Sequence, residues 1–257
     1  DETDIVDGCA DDAFIAHAGD NVTFTGNATD PGSDDLDLTW SWGDGTPDTT
    51  TTYLVNPPVV DPLPSPSIQP RDVTDVQLHS FAAACLYEVT FSALDDDGGS
   101  ASDSTDVVIV GNADLIRSAG YWSKGYRQIG RRFFSDAELI CFLDMVNHLS
   151  AVFSEAVDAD SIDDAEEVLD PSNSNGDITV QLDRQMLALW LNLANGAIDY
   201  DELVDTDFDT VPDTPLLGVL CDAEAARLNP ATTDAELEEW KDILEAVNLS
   251  DQNVPSS

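Results

Sequence analysis

The chain changes its hydrophobic period once, near residue 113. Before that point, apolar and polar side chains follow a strand-like pattern in four segments, residues 21–26, 36–42, 87–94 and 104–110. Clusters of Asp, Gly, Asn and Pro separate these segments, a pattern typical of an antiparallel sandwich. The pattern predicts an all-β N-terminal domain over residues 1–113.

Residues 114–257 show a helical period instead. Four helices are predicted, over residues 135–157, 178–196, 215–229 and 233–249. Ser135 with Glu138, and Thr233 with Glu236, have the spacing of a capping box at a helix start. The apolar faces predict an all-α helical bundle with its own core. The chain is therefore predicted to contain two domains.

A Pro-rich insertion interrupts the β pattern at residues 47–78, which contain seven prolines. Proline cannot donate to a strand ladder, so this stretch is expected to run as an extended, polyproline-like surface loop. A loop this long is uncommon unless it contacts something.

The N-terminal half resembles the PKD (polycystic kidney disease) domain, a small immunoglobulin-like sandwich. The resemblance is carried by a Trp-x-Trp strand that runs into Gly-Asp-Gly, and by a His-x-aromatic pair before a strand that ends in Asp-x-x-Gly. These residues are Trp40, Trp42, Gly43, Asp44, Gly45, His79, Phe81, Asp95 and Gly98. The resemblance implies that His79 is structural.

The C-terminal half has a looser resemblance to a family of bacterial and archaeal surface proteins. Those proteins carry a Gly-Tyr-Trp-Lys entry, here at 120–122, with Ser123 displacing the lysine to Lys124. They also carry a later helix, whose counterparts here are Leu182, Arg184, Gln185, Leu191, Asn192, Asn195 and Gly196. This resemblance implies no activity.

The charge is strongly negative. The chain has 52 Asp and Glu against nine Lys and Arg, a formal net charge of −43. Phosphate backbones would be repelled, which excludes ordinary nucleic-acid binding. The balance favours solubility in high salt, calcium binding, or both. No apolar run approaches the length of a membrane span, and the start of the sequence is typical of a processed, exported chain.

Four cysteines, Cys9, Cys85, Cys141 and Cys221, lie outside any Cys-x-x-Cys pair, which favours disulfides over a zinc site. Four buried free thiols are the alternative. Three pairings exist, and a domain boundary near residue 113 favours Cys9–Cys85 with Cys141–Cys221. Asn-X-Ser/Thr sequons at Asn21, Asn27 and Asn248 are glycosylation candidates if the chain is exported.

No catalytic constellation is evident among the three histidines or the many carboxylates, so we expect a non-enzyme. Calcium is the favoured small ligand. One candidate is a D-x-D-x-D loop of Asp205, Asp207, Asp209 and Asp213, in which Thr210 stands where such loops carry Gly. A second is a set of PKD loop residues that some relatives use for calcium, Asn27, Asp30, Asp44 and Asp95. The alternatives are a solvated acidic loop and, for Asp44, a turn residue.

Residues 117–134 form a basic strip that contains five of the nine cations and no acid. Its predicted interface residues are Arg117, Tyr121, Trp122, Lys124, Tyr126, Arg127, Arg131 and Arg132. The strip either pairs with acids of its own domain, for example at 158–169, or docks on the acidic face of another copy, since Arg and aromatic residues are typical interface anchors.

These patterns predict a secreted, non-enzymatic structural protein of a salt-adapted prokaryote, which assembles with itself into a cell-surface array or filament. The alternative is an adhesion or carbohydrate-binding module, with a glycan as partner. Aromatic side chains presented to solvent on a flat face would favour the alternative.

Overall fold

The computed structural model describes residues 5–6, 8–10, 13–32, 34–55, 57, 70–127 and 133–250. Residues 58–69 of the Pro-rich insertion, together with Arg131 and Arg132, lie outside the described residues. The chain divides into two compact units that alternate along the sequence. Unit 1 contains Gly19–Ala82 and Tyr87–Val107, and unit 2 contains Ile5–Ala18, Ala83–Leu86 and the chain from Val108 onward.

An N-terminal β-sheet region is followed by a C-terminal helical region, which confirms the predicted fold class. The strands are β1 (Ile5–Val6), β2 (Ala13–His17), β3 (Val22–Asp30), β4 (Leu36–Ser41), β5 (Thr49–Tyr53), β6 (Arg71–His79), β7 (Cys85–Asp95), β8 (Ser100–Val110), β9 (Leu203–Val204) and β10 (Thr214–Pro215). The helices are α1 (Ala119–Tyr126), α2 (Asp136–Leu149), α3 (Ala151–Glu155), α4 (Ile162–Leu169), α5 (Ile178–Ala194), α6 (Leu216–Leu228) and α7 (Asp234–Asn248).

Unit 1 is a sandwich of two sheets. One sheet has the order β8-β7-β4-β5, and the other is the antiparallel pair β3-β6. In β4, Leu36, Leu38 and Trp40 are buried and alternate with less buried residues, as the sequence pattern predicts. The register of β4 places Trp40 opposite Phe91 of β7 and opposite Thr49 of β5.

The expectation of an extended loop over residues 47–78 is wrong at both ends of that range. Strand β5 and strand β6 both lie largely within it. The run of threonines at 49–52 and the buried Val73 fit strands because β-branched residues favour pleated backbone. The prolines are concentrated between these two strands, so they do not interrupt either ladder.

Aromatic rings fill the space between the two sheets of unit 1. Trp40 and Trp42 stack with their ring centroids 5.7 Å apart, and Phe24 lies 5.2 Å from Trp42. Gly26 of β3 has no side chain for a steric reason, since a Cβ there would lie 2.7 Å from the ring of Phe91. Such close packing explains why the alternation in β3 includes a glycine.

Helix α5 is the centre of unit 2, and it contacts α1, α2, α4, α6 and α7. Leu182, Met186 and Leu189 on this helix have no exposed surface. The predicted capping boxes at the starts of α2 and α7 are both present. The helix predicted over 135–157 is divided at Ser150, which has an extended ψ of 126°.

The division at Ser150 has a clear cause in hydrogen bonding. The Glu224 carboxylate accepts bonds from the Ser150 hydroxyl and from the backbone N–H groups of Ala151 and Val152. These groups are orphan donors at the start of α3. A buried carboxylate at this helix start is therefore more favourable than a continuous helix.

Disulfides are present, but the pairing expected from a boundary near residue 113 is wrong. Cys9 is bonded to Cys221, with the Cα atoms 5.0 Å apart, and Cys85 is bonded to Cys141, at 4.5 Å. All four cysteines belong to unit 2, because residues 5–18 and 83–86 cluster with the helices. Both bridges tie N-terminal segments to the helical part of the same unit.

Asn192 joins the two segments on which the second resemblance rests. Its Oδ1 accepts bonds from the Trp122 indole N–H at 3.1 Å and from the Arg117 N–H at 2.8 Å. Its Nδ2 donates to the Arg117 carbonyl and to Asn248 Oδ1. Asn192 is completely buried and all its hydrogen-bonding capacity is used. The Gly-Tyr-Trp segment and the α5 motif thus form one structural network.

We predict that Asn192→Leu lowers the free energy of unfolding by more than about 3 kcal/mol, since it leaves several buried polar groups without partners at nearly constant volume. Urea denaturation of the intact protein measures this. Gln181→Leu, on the less buried face of the same helix, is the matched control. Equal losses for the two variants would show that the network contributes nothing specific.

Candidate metal sites

The signature residues of the sandwich have structural partners. His79 stacks on Trp42 with ring centroids 4.2 Å apart, and its Nε2 lies 2.9 Å from the Asp44 carboxylate. Asp44 also accepts hydrogen bonds from the N–H and the hydroxyl of Thr46. Burial raises the pKa of Asp44, but the bonds from Thr46 and His79 outweigh it and hold the pKa below its ordinary value. Asp44 is therefore a turn residue here.

Three carboxylates from separate elements meet in unit 1. Asp30 ends β3, Asp34 lies just before β4 and Asp95 ends β7. One oxygen from each lies within 4.8 Å of the others. The Gly32 N–H bonds to Asp30 Oδ1 at 2.5 Å and the Gly99 N–H to Asp95 Oδ1 at 2.6 Å, which fixes both loops. We call Asp30, Asp34 and Asp95 the unit 1 cluster.

Three further acids, Asp35, Asp96 and Asp97, add negative charge beside the unit 1 cluster. Asp34 and Asp35 are only 8% and 6% exposed. Both carboxylate oxygens of Asp96 are buried, and neither has a hydrogen-bond partner among the described residues. Burial, and then repulsion from Asp34, Asp35 and Asp97, raises the pKa of Asp96. This region concentrates negative charge that a divalent cation would neutralise.

The sequence prediction for this part of the molecule is only partly reflected in the geometry. Asp30 and Asp95 do come together, but Asn27 and Asp44 lie elsewhere. Asn27 is on the exposed face of β3, where its Oδ1 accepts a bond from Thr74. Asp34 was missed, although it belongs to the acidic run 34–37 that leads into β4.

A second group lies in unit 2, between β9 and β10. Oxygens of Asp205, Asp207 and Asp209 lie within 4.8 Å of one another. Asp213 is not in this group, and its Oδ1 accepts bonds from Thr206 and Thr214 instead. The Thr210 N–H bonds to Asp205 Oδ2 at 2.8 Å, while Asp205 Oδ1 is buried without a hydrogen-bond partner in the described residues. We call Asp205, Asp207 and Asp209 the unit 2 loop.

The backbone of the unit 2 loop is strained. Thr210 has a φ of 75° and Phe208 a φ of 61°, both in the left-handed region. A β-branched residue in that region is unusual, and such positions cost roughly 1–3 kcal/mol. The loop therefore keeps the shape that glycine would provide, at a cost in stability.

The basic strip does not present the row of aromatic side chains that the sequence suggested. Trp122 and Tyr126 are 0% and 1% exposed, and the Tyr126 hydroxyl donates to the Leu139 carbonyl. Their spacing of four residues is that of one buried helix face. The prediction that these two are interface residues is therefore wrong. The Arg117 guanidinium lies over the Tyr121 ring at 4.8 Å.

The cations of the strip divide into paired and exposed ones. Arg127 forms ion pairs with Asp170 and Glu166, as in the expected pairing with acids of the same domain. Lys124 is exposed, and no hydrogen bond or ion pair connects it to another described residue. Lys124 is therefore the described cation of the strip that stays available to a partner.

The effect of Asp34→Asn on the free energy of unfolding should change sign when calcium is added. In chelator at constant ionic strength we expect it to raise the free energy of unfolding by roughly 1 kcal/mol, because like charges about 5 Å apart are relieved. In calcium the wild type should gain about 2.7 kcal/mol at a hundred times Kd, and the variant should lose that gain. Chemical denaturation measures both.

Asp20→Asn is the matched control, since it removes the same charge from an exposed position at the opposite end of β3. It should have small effects of the same sign in both buffers. If Asp34→Asn behaves like the control, the unit 1 cluster does not bind calcium.

Thr210→Gly should stabilise the unit 2 loop by about 1 kcal/mol, since glycine adopts positive φ without steric cost. It should also tighten calcium binding at this loop, measured calorimetrically in an Asp34→Asn background. Val211→Gly, at a position without positive φ, should instead destabilise the protein. Equal effects of the two glycines would contradict the assignment of strain to Thr210.

Within the described residues, no helix has both the length and the apolar character that a membrane span requires. No curated protein and no solved structure matches the chain. The family model of the PKD domain matches residues 10–109. This match, together with the two-sheet sandwich and the Trp42–His79–Asp44 arrangement, identifies residues 10–109 as a PKD domain, an immunoglobulin-like module.

Proposed function

We propose that this chain is an extracellular, non-enzymatic structural protein of a salt-adapted prokaryote. In this proposal, copies assemble into a cell-surface array or filament, and calcium neutralises and orders the acidic loops. The PKD domain suggests an extracellular adhesive or structural module, and such domains are not catalytic. Two disulfides fit an oxidising, extracellular location.

The observation that carries the calcium proposal is a contrast among buried carboxylates. Asp75 accepts bonds from the Trp40 indole, the Tyr53 hydroxyl and Gln77. Glu224 likewise receives four donors, including the Trp190 indole at 2.8 Å. The Asp183 carboxylate accepts two bonds from Arg227.

The unit 1 cluster differs from these satisfied carboxylates. Asp30 and Asp95 each accept one backbone N–H bond, whereas nearby Asp96, which is repelled by Asp34 and Asp35, has two buried oxygens with no hydrogen-bond partner in another described residue. Buried charges in proteins are paired or bind metal, because leaving them uncompensated is costly. Carboxylate oxygens are the ligands that calcium prefers, and here they come from the β3–β4 connection and from the end of β7. We expect a dissociation constant of about 0.1–1 mM, as in extracellular calcium modules.

Salt adaptation rests on the charge balance. A net charge of −43 in 257 residues would destabilise a compact chain through self-repulsion in dilute buffer. At molar salt the Debye length falls to about 3 Å, so the repulsion between exposed carboxylates is screened. The same screening lets acidic copies approach one another, which assembly requires.

Fewer residues of the basic strip are available for contact with another copy than the sequence predicts. With Trp122 and Tyr126 in the core and Arg127 paired inside the chain, the exposed Lys124 is the described anchor. Arg131 and Arg132 complete the proposed contact with an acidic face of the next copy. Because molar salt screens charges beyond a few ångström, these cations would act through direct ion pairs with the acidic face, which orient the contact.

The alternative, an adhesive or carbohydrate-binding module, needs aromatic side chains that face solvent together. Among the described residues, the aromatic side chains more than half exposed are Phe133 and Phe208. They lie in separate segments, the one before α2 and the other in the unit 2 loop. This arrangement favours the structural role over a stacking platform for sugars.

Charge reversal tests the assembly. At molar salt with millimolar calcium, the protein should form large particles by sedimentation and electron microscopy. Lys124→Glu combined with Arg131→Glu and Arg132→Glu should disperse them without lowering the free energy of unfolding. Arg127→Glu is the comparison, and it should destabilise the fold by about 1–2 kcal/mol because Asp170 and Glu166 lose their partner.

A wild-type protein that stays monomeric under these conditions would contradict the assembly. A protein whose stability does not respond to calcium would contradict the calcium proposal separately. Magnesium at equal ionic strength serves as the control for a general effect of divalent ions.

A further inference from the structure

We infer that Asn21 and Asn27 carry N-linked glycans, and that these glycans cover an exposed apolar pair, Val76 and Leu78, on the neighbouring strand. We further infer that the third sequon, at Asn248, stays unmodified. The inference rests on the extracellular location included in the proposed function, because glycosylation of Asn21 and Asn27 requires export.

Strand β3 presents both sequons on one face. Its residues alternate strictly between buried and exposed from Val22 to Thr29. Asn21, just before β3, is exposed, and so are four residues of the strand: Thr23, Thr25, Asn27 and Thr29. Each sequon hydroxyl therefore lies on the same side of the strand as its asparagine. The two asparagines are six residues apart, about 20 Å along the strand.

The antiparallel partner β6 places apolar side chains between these two asparagines. Leu78 is paired with Thr23, Val76 with Thr25, and Thr74 with Asn27. Leu78 and Val76 are 67% and 55% exposed, and they lie on the same outward face as the sequons. The apolar pair thus lies across from the part of β3 between Asn21 and Asn27.

This face is nearly free of charge in a very acidic protein. Of the exposed positions on β3 and β6, Asp72 is the charged one, and the others are Thr, Asn, Val and Leu. An uncharged strand face with apolar side chains is a site where copies would associate without specificity. A neutral, hydrated glycan would cover it without adding charge.

Asn27 is positioned to react. Its Oδ1 accepts the Thr74 hydroxyl at 2.6 Å, while its Nδ2 makes no hydrogen bond to another described residue. In the transfer reaction this nitrogen bonds to the anomeric carbon of a lipid-linked oligosaccharide. The bond from that carbon to the lipid phosphate or diphosphate breaks, the phosphate leaves with the bonding electrons, and the amide loses one proton to the transferase.

Asn248 is the internal contrast, and its prediction as a glycosylation site is corrected by the structure. It is 1% exposed, and its Nδ2 donates to the Gln185 carbonyl and to Gln185 Oε1. Its Oδ1 accepts from Asn192. A glycan on this nitrogen would have to break the buried network around α5.

The test secretes the full chain from a host that N-glycosylates Asn-X-Ser/Thr, so that export is imposed and does not depend on the proposed function. Mass spectrometry of tryptic and glutamyl peptides should find glycan on Asn21 and Asn27 and none on Asn248. Thr23→Ala and Thr29→Ala should each remove one glycan, while Ser250→Ala should change nothing. A host protein with a known sequon confirms that transfer is active.

Shielding is read with a fluorescent dye that binds exposed apolar surface. Protein that lacks both glycans should bind more dye than the glycosylated protein, and Val76→Thr with Leu78→Thr should remove the difference. Unmodified Asn21 and Asn27 in active secreted material, or a glycan on Asn248, would overturn the assignment. Dye binding that does not depend on the glycans would overturn the shielding. Calcium binding, measured on the same samples, reports on the proposed function independently.

Discussion

Placing negative charge is the constraint on which this molecule depends. Fifty-two acids share a chain with nine Lys and Arg, so few buried carboxylates can have a cationic partner. Asp75 and Glu224 are satisfied by indole, hydroxyl, amide and backbone donors, and Glu224 even determines where one helix ends and the next begins. In the unit 1 cluster, Asp30 and Asp95 each accept one backbone N–H bond, and the remaining negative charge is the reason we propose a cation from solution there.

The two units use polar groups in different ways. In unit 2, Asn192 holds the chain before α1 against α5 and α7, and every one of its hydrogen-bonding positions is used. In unit 1, His79 and Asp44 brace the aromatic core through one hydrogen bond and one ring stack. Both arrangements are structural, and the His79–Asp44 arrangement lies within the residues that the PKD family model matches. The buried carboxylate oxygens without hydrogen-bond partners in the described residues lie in the acidic loops instead.

The fold class could be predicted because alternation, helical period and capping boxes are local signals. The disulfide partners could not, since Cys9 and Cys85 lie in N-terminal segments, 5–18 and 83–86, that cluster with the helices, and local patterns do not report that. Asp34 was missed because many acids surround it in sequence, and only its approach to Asp30 and to Asp95 at the end of β7 distinguishes it. The burial of Trp122 and Tyr126 could have been predicted from the sequence, because residues four apart lie on one face of a helix.

Amide hydrogen exchange of the intact protein, with and without calcium at constant high ionic strength, tests whether calcium is the partner of these carboxylates. If calcium binds the unit 1 cluster, amides of residues 30–35 and 95–99 gain protection, while those of α5 exchange as before. Protection that does not change at these loops, or that magnesium produces equally, would contradict the claim that calcium is the partner of these carboxylates.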